Sequence, residues 1–485
     1  MTTPHEPKPG DVVVRRPREA ELEPVRIRVE PRTISVRGAT SPMILVYSFF
    51  VVTLIGAFLL ALPIASSGPG AAPPLDAIFT AFSAITGTGI VLVDTAEGWT
   101  LFGEIVIGAL IFTGGLGFMT GAAFFFLVYG RRAGLQSQIV MSAGLGESEI
   151  GRVTRIARNV VLIAVIVQAV GTVAIFIRWY IVGKAWDGLG LGQAIWQSIF
   201  TSFSAFNTAG FDLVPDDLSG GSSLAGFAGD IPTLTIVGVL IMAGSLSYAT
   251  LADVTAKRNW RELRLDSKLV LTGTAVVLAI GFIAFVAFEW SNPGTIGNDP
   301  VGRKISQGLF HTVNRTSGFS SFEYSQMGHV NTAVTNWLMF VGGASASTAA
   351  GIKVNTLMVI VFGSIAVIRG RTHTTAFHRE ISHHTVRRAL VVATSAAMAL
   401  VLLITLLFVL DPSIEFRAGI FEMVSAFGNT GWSEGAASTM NSSARMLLAA
   451  AMFIGRFGPL TIALYIAFRS QTTPARYPQE HLRMG

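Results

Sequence analysis

Eight long apolar runs punctuate this chain, at about residues 42–63, 101–129, 159–183, 231–252, 269–289, 334–368, 389–410 and 444–468. A membrane span needs roughly 20 apolar residues, and each run reaches or approaches that length. Between the first and second, third and fourth, fifth and sixth, and seventh and eighth lies a shorter apolar stretch, at about 74–86, 192–206, 302–314 and 413–427. These four are too short to cross a bilayer, and each is followed by a glycine-bearing turn. They read as re-entrant half-helices. The bilayer as solvent also explains why only 13% of residues are charged and mean hydropathy is +0.57, against about 25% charged in soluble domains.

Basic residues set the expected orientation. Segments 1–40, 129–158, 253–268, 369–388 and 469–485 carry 26 of the 35 Lys and Arg, so the positive-inside rule places them and both termini in the cytoplasm. Residues 1–40 mix basic, acidic and proline residues without an apolar core, which predicts a solvated tail rather than a signal peptide. Anionic lipid beside the basic loops accounts for the net charge of +6 without nucleic acid.

The turns after the short helices repeat. They read Thr86-Gly87-Thr88-Gly89-Ile90, Asn207-Thr208-Ala209-Gly210-Phe211, Arg315-Thr316-Ser317-Gly318-Phe319 and Asn429-Thr430-Gly431-Trp432. The preceding helices share a phenylalanine start, at Phe79, Phe200, Phe310 and Phe421. Gly89, Gly210, Gly318 and Gly431 are 121, 108 and 113 residues apart, in step with the hydropathy pattern, which argues fourfold internal repetition. The expected fold is an all-α integral membrane protein of eight transmembrane helices in four helix–pore-loop–helix repeats around a pseudo-fourfold pore. The repeats fall at 41–130, 153–256, 268–369 and 387–468. Four such strands aimed at one axis offer a ring of carbonyls in place of a monovalent cation's hydration shell. Thr86, Thr88, Thr208, Thr316 and Thr430 brace the strands or add oxygens. Four glycine turns with a packing role alone are the competing reading.

The sixth run is too long and is interrupted by Gly342-Gly343-Ala344-Ser345-Ala346-Ser347-Thr348-Ala349-Ala350-Gly351-Ile352-Lys353. Broken helix at membrane depth is tolerated only when buried or facing water. The segment is expected to be a mobile constriction beneath the turns, with Lys353 either pairing to hold it or snorkelling to the surface. Arg456 sits inside the eighth run, and an intramembrane arginine faces a pathway or a partner. Two roles stand open: a positive charge that restricts cations or positions the loop, or a cap on carbonyls freed around Gly455, Gly458 and Pro459. Arg315 either braces the third turn or sits at its outer rim. Asp94, Asp212, Asp216 and Asp217 either concentrate cations or line a solvated loop. The histidines His373, His378, His383 and His384 fall in a loop that reads as a solvated linker, with pH sensing as the alternative.

In combination these motifs resemble the Trk/Ktr/HKT superfamily of potassium transporters, over about residues 41–468, and most of all its Ktr membrane subunits. The resemblance implies K+ as the transported ion, with Na+ alongside, and a plasma-membrane homodimer with one pore per protomer. It also implies gating by a cytoplasmic ring of KtrA-like nucleotide-binding regulatory subunits. It assigns K+ coordination to Gly89, Gly210, Gly318 and Gly431 within the filter residues Thr86–Gly89, Asn207–Gly210, Thr316–Gly318 and Asn429–Gly431. It assigns the gate to Gly342, Gly343, Ser345, Ser347, Thr348, Gly351 and Lys353, with Arg456 as the inner-helix arginine. Two departures stand out. Alanines occupy loop positions 344, 346 and 350 where glycine is usual, and Trp432 makes the fourth turn bulky.

Two other classes compete. An alternating-access cation symporter is expected to carry two inverted repeats, whereas these four run parallel. A membrane enzyme has no support in the sequence, which lacks cysteine and any His-Glu-x-x-His.

Overall fold

The computed structural model describes residues 43–128, 153–183, 190–214, 223–345 and 347–468. Helices of ten residues or more are numbered. The expected tails at 1–40 and 469–485, and Asp216 and Asp217, lie outside the described residues.

Helix ends fall where the residues demand them. After α1 (Met43–Leu60), Pro74 opens α2 (Pro74–Thr86), where a missing N–H costs nothing, and Gly87 closes it left-handed with φ 66°. The chain continues through α3 (Leu101–Val128), then α4 (Val153–Phe176), whose last turn loosens into a π-helix over Ile177–Val182, and α5 (Leu191–Phe206). Next come α6 (Ile231–Ser245), α7 (Tyr248–Lys257), α8 (Leu265–Glu289), α9 (Val301–Val313), α10 (His329–Phe340) and α11 (Val354–Ile368). The last three are α12 (His383–Leu410), α13 (Phe416–Gly428) and α14 (Ser442–Phe468). The short helices α2, α5, α9 and α13 thus occupy the four stretches too short to span.

Packing runs from each group of helices to the next and closes on itself. Helix α3 packs on α4, α6 on α9 and α10 on α13, while α14 returns to α2. Many exposed side chains on the long helices are apolar, as at Phe58, Leu402 and Val409, while Thr80, Ser83, Gln197, Ser202 and Thr332 are buried. This is the arrangement expected of a protein whose outer solvent is hydrocarbon and whose backbone and polar groups are satisfied inside. Among the described residues, three helices are long and apolar enough to cross a membrane: Arg158–Val182, Leu265–Glu289 and His383–Leu410.

Two features differ from the sequence expectations. The run at 231–252 is not one straight helix, because α6 and α7 meet at 99° across Leu246 and Ser247. Ser247 caps α7 by accepting from Thr250 N at 3.1 Å, which favours a fresh helix start over continuation. The fold is also not purely α-helical. Residues 374–381, read as part of a solvated linker, form a hairpin of β1 (Thr374–Ala376) and β2 (Arg379–Ile381). Its two turn residues, Phe377 and His378, both have positive φ, the geometry that suits a tight antiparallel connection.

Candidate functional site

The four glycine turns meet at one place. A Cβ on Gly89 would run into the Ala209 carbonyl, and one on Gly210 into the backbone of Gly318. From Gly318 it would reach Gly431 Cα at 3.2 Å and Thr88 O at 3.2 Å, and from Gly431 it would strike Thr88 O. Each turn therefore touches the next, and the fourth touches the first. Side chains stitch the ring further. Asn429 Nδ2 donates to Thr88 Oγ1 at 2.7 Å, and Thr430 Oγ1 donates to the Arg315 carbonyl at 3.3 Å. At Gly89, Gly210 and Gly431 glycine is required, because a Cβ would overlap backbone already there, whereas at Gly318 it would be a tight contact. All fourteen sequence-predicted turn residues lie in this ring and, apart from the half-buried Gly318, are buried.

Local sequence shapes the strands. In turns one, two and four the short helix ends in a left-handed residue, Gly87, Thr208 or Asn429, two positions before the ring glycine. Thr88 N, Ala209 N and Thr430 N then bond back to the carbonyls of Ser83, Ser204 and Ser425, at 2.8, 2.8 and 3.0 Å. Ser83 accepts from Gly89 N at 3.1 Å and donates to Ile90 O at 2.8 Å, and Ser425 accepts from Gly431 N at 3.0 Å. In the third turn Asn314 Nδ2 donates to Phe319 O, which also accepts from the Trp432 indole at 2.9 Å. The bulk of Trp432 thus ties the fourth turn to the third. Phe310 lies eight residues before its ring glycine rather than ten, so its pairing with the other three phenylalanines does not hold in register.

The helix of the sixth run stops at Phe340 and resumes at Val354. The segment between doubles back, with Val341 beside Ile352 in a parallel bridge. Gly342 N donates to Ile352 O at 2.8 Å and Val354 N to Gly343 O at 3.0 Å. A Cβ on Gly342 would strike the Ala350 carbonyl, and Gly351 turns the chain with φ 72°. The loop is anchored on the bend between α6 and α7. Ala344 N donates to Ser245 O at 3.0 Å and Thr348 N to Gly244 O at 3.1 Å. A continuous helix would consume those two carbonyls; the bend releases them for the loop. Ser345 donates to Asn355 Oδ1 at 2.8 Å and Ser347 to Ala344 O at 2.7 Å.

Three cations hold the loop by its carbonyls. Lys353 Nζ donates to Ala349 O, turned into the loop rather than snorkelling. Arg456 donates to Thr348 O and, at 3.1 Å, to Gly114 O. It caps carbonyls, and the ones it reaches belong to the loop and to α3 rather than to its own helix around Gly455, Gly458 and Pro459. Arg315 is buried, not at an outer rim, and donates to Val341 O and, at 3.2 Å, to Gly342 O. Two of the four candidate acids, Asp94 and Asp212, have structural partners. Asp94 caps Thr95–Gly98 through Ala96 N and Glu97 N, and Asp212 accepts from Val214 N at 3.1 Å and Ser223 Oγ at 2.7 Å.

Sequence reasoning missed Glu422. It is buried in α13 and accepts from Ser433 Oγ at 2.5 Å and Glu434 N at 3.0 Å, fixing the chain that leaves the fourth turn. An acid in the middle of an apolar short helix was the available signal. A second missed signal is a glycine after the first, second and fourth turns. Gly114, Gly244 and Gly455 lie where a Cβ would enter the carbonyls of Ile85, Phe206 and Phe427, each four residues before its ring glycine.

A closed ring of buried backbone turns, carried on half-helices inside an apolar-skinned assembly, defines a helical membrane protein built around a central polar site. The TrkH family, described as cation transport protein, matches residues 26–473, and the chain belongs to that family. It is 34% identical to the Ktr system potassium uptake protein B of Bacillus subtilis, over 92% of this chain and 97% of that one. It is 32% identical to the protein of the same name from Vibrio alginolyticus, over 92% and 95%. It is also 32% identical to the potassium/sodium uptake protein NtpJ of Enterococcus hirae, over 93% and 98%. The fold is shared with the crystal structure of the potassium transporter TrkH from Vibrio parahaemolyticus, with a TM-score of 0.66 at 18% identity over 88% of this chain and 84% of that one.

Proposed function

We propose that this chain takes up K+ across the plasma membrane along the axis on which the four glycine turns meet. Eight spans in four repeats carry those turns, and both termini face the cytoplasm. The observation that carries the reading is the closed contact among Gly89, Gly210, Gly318 and Gly431, which only backbone occupies. Backbone at such a position offers carbonyl oxygens to a dehydrating monovalent cation. Thr88, Thr430 and Asn429 bond from turn to turn and hold the ring's shape.

Residues 341–353 gate the pathway from below. A cavity lined by Gly115, Leu116, Ala164, Phe206 and Leu246 lies against Ser347 and Thr348 and gives the loop somewhere to move. Arg456 and Lys353 set its resting place. The names of the Ktr relatives denote a multi-component system. By the same likeness this chain works as a homodimer with a separate nucleotide-binding regulatory ring, and Na+ joins K+ as a ligand, as the name of the Enterococcus relative suggests.

The test is rubidium uptake into liposomes holding the purified chain, with Na+ as competitor. Saturable uptake that K+ inhibits better than Na+, and that Gly318→Asp abolishes while the protein stays in the membrane, is the expected result. Uptake unchanged by Gly318→Asp sinks the filter assignment.

A further inference from the structure

The loop and the ring are two sites in the reading above, and one side chain joins them directly. Arg315 lies three residues before the ring glycine Gly318 and is buried. Its guanidinium donates to Val341 O and Gly342 O, the first carbonyls of the loop. Its own carbonyl accepts from Thr430 of the fourth turn. The next residue, Thr316, pairs its hydroxyl with Ser245 Oγ at 2.9 Å, and Ser245 O in turn receives Ala344 N of the loop at 3.0 Å. The third turn therefore grips the start of the loop twice, once by Arg315 and once through Ser245.

We infer that Arg315 is a positioning residue that couples the loop to the ring, so that cation occupancy of the turns and displacement of the loop bias one another. A buried charge stripped of its acceptors is heavily penalised. When the loop leaves, Arg315 must follow it or find other oxygens, and either choice moves the strand that carries Gly318. By reciprocity, a cation that fixes the Gly318 strand fixes Arg315 and with it Val341 and Gly342. Arg456 differs in this respect, because its carbonyls belong to Thr348 and Gly114 and it makes no bond to a turn residue among the described residues.

The inference rests on the ring being the cation site, and the experiment separates the two. Rubidium uptake and its inhibition by Na+ are measured for the parent chain, for Arg315→Lys, for a chain lacking residues 342–351, and for the combination. Arg315→Lys should raise uptake roughly fivefold or more with the loop present and change it less than about twofold with the loop absent. An equal effect in both backgrounds overturns the link while leaving the filter reading intact. Loss of K+-preferring uptake in the loop-deleted chain overturns both. A second readout needs no transport. The chain has no cysteine, so Ser345→Cys supplies a single thiol on the loop. Its labelling rate should shift severalfold when K+ replaces choline, and Arg315→Lys should abolish that shift. A labelling rate indifferent to K+ in the Arg315 parent overturns the coupling.

Discussion

The third turn reaches the same ring as the other three by a different route. Turns one, two and four end their short helices in a left-handed residue and then a positive-φ glycine, in the pairs Gly87 and Gly89, Thr208 and Gly210, and Asn429 and Gly431. The third turn has neither. Residues Asn314–Thr316 form a tight 3-10 turn, Ser317 N bonds to Asn314 O at 2.8 Å, and Ser317 is fully extended with φ −142°. The residue three before the ring glycine shows the consequence. Thr86 and Asn207 bond back to their own helices, at Phe82 O (2.6 Å) and Phe203 O (2.9 Å), and Gly428 has no side chain to offer. Arg315, at the same place, reaches the loop. Three turns are built to hold a strand still; the third gives up the left-handed cap and gains a connection.

The comparison breaks most readily at the glycines themselves. Gly89→Ala, Gly210→Ala and Gly431→Ala each put a Cβ at positive φ and into a neighbouring backbone. The left-handed conformation alone costs about 1–2 kcal/mol per residue, and the clash adds to it. Rubidium uptake should fall roughly a hundredfold or more in each, taking about 1.4 kcal/mol per factor of ten. Gly318→Ala lacks the φ penalty and meets its nearest atoms only at 3.2 Å. It should be the mildest of the four, with a loss of roughly tenfold or less. Equal losses at all four positions would show that the third turn is constrained like the others.

The glycines behind the ring sharpen the contrast at a lower level. Gly114→Ala, Gly244→Ala and Gly455→Ala each drive a methyl into a helix-end carbonyl and should cost about 1–3 kcal/mol of stability. After the third turn, Gly343 faces Ser245 O at 2.7 Å and Ala349 Cβ at 2.8 Å, both part of the loop and its anchor. Gly343→Ala should therefore disturb the loop and raise uptake severalfold, with a smaller shift in the thermal midpoint. A uniform loss of stability across all four variants would argue that the loop is as fixed as a helix.

How much of this was legible depended on whether the cause was local. Short apolar stretches ending in glycine predicted α2, α5, α9 and α13 to within about three residues, because length and turn chemistry are written in sequence. The interruption at 341–353 was visible for the same reason: a run of small residues cannot sustain a lipid-facing helix. The bend at Leu246 was not visible, because Gly244-Ser245-Leu246-Ser247 is acceptable within a helix. The carbonyls that the bend leaves without helical partners, Ser245 O and Gly244 O, are taken by Ala344 N and Thr348 N, about a hundred residues away. The partners of Arg315 and Arg456 were hidden likewise. An arginine in an apolar run announces that something receives it, and only the fold says what.

The finest distinction lies among the serines six residues before each ring glycine. Ser83 makes two bonds to its turn, through Gly89 N and Ile90 O, and Ser425 makes one, through Gly431 N. Ser204 Oγ, at the matching position, is buried with no hydrogen-bond partner among the described residues. A net hydrogen bond contributes about 1 kcal/mol, and a buried hydroxyl without one is a cost rather than a gain. Ser83→Ala should therefore lower the thermal midpoint and uptake the most, Ser425→Ala about half as much, and Ser204→Ala should leave both unchanged or slightly raise the midpoint. The third short helix, α9, places Thr312 there, with its hydroxyl turned back to Leu309 O at 3.0 Å. Thr312→Val should behave like Ser204→Ala in uptake, because Asn314 rather than Thr312 holds the strand. If Thr312→Val instead matches Ser83→Ala, the third strand is braced from the same position as the first, and the separate construction of that turn is wrong.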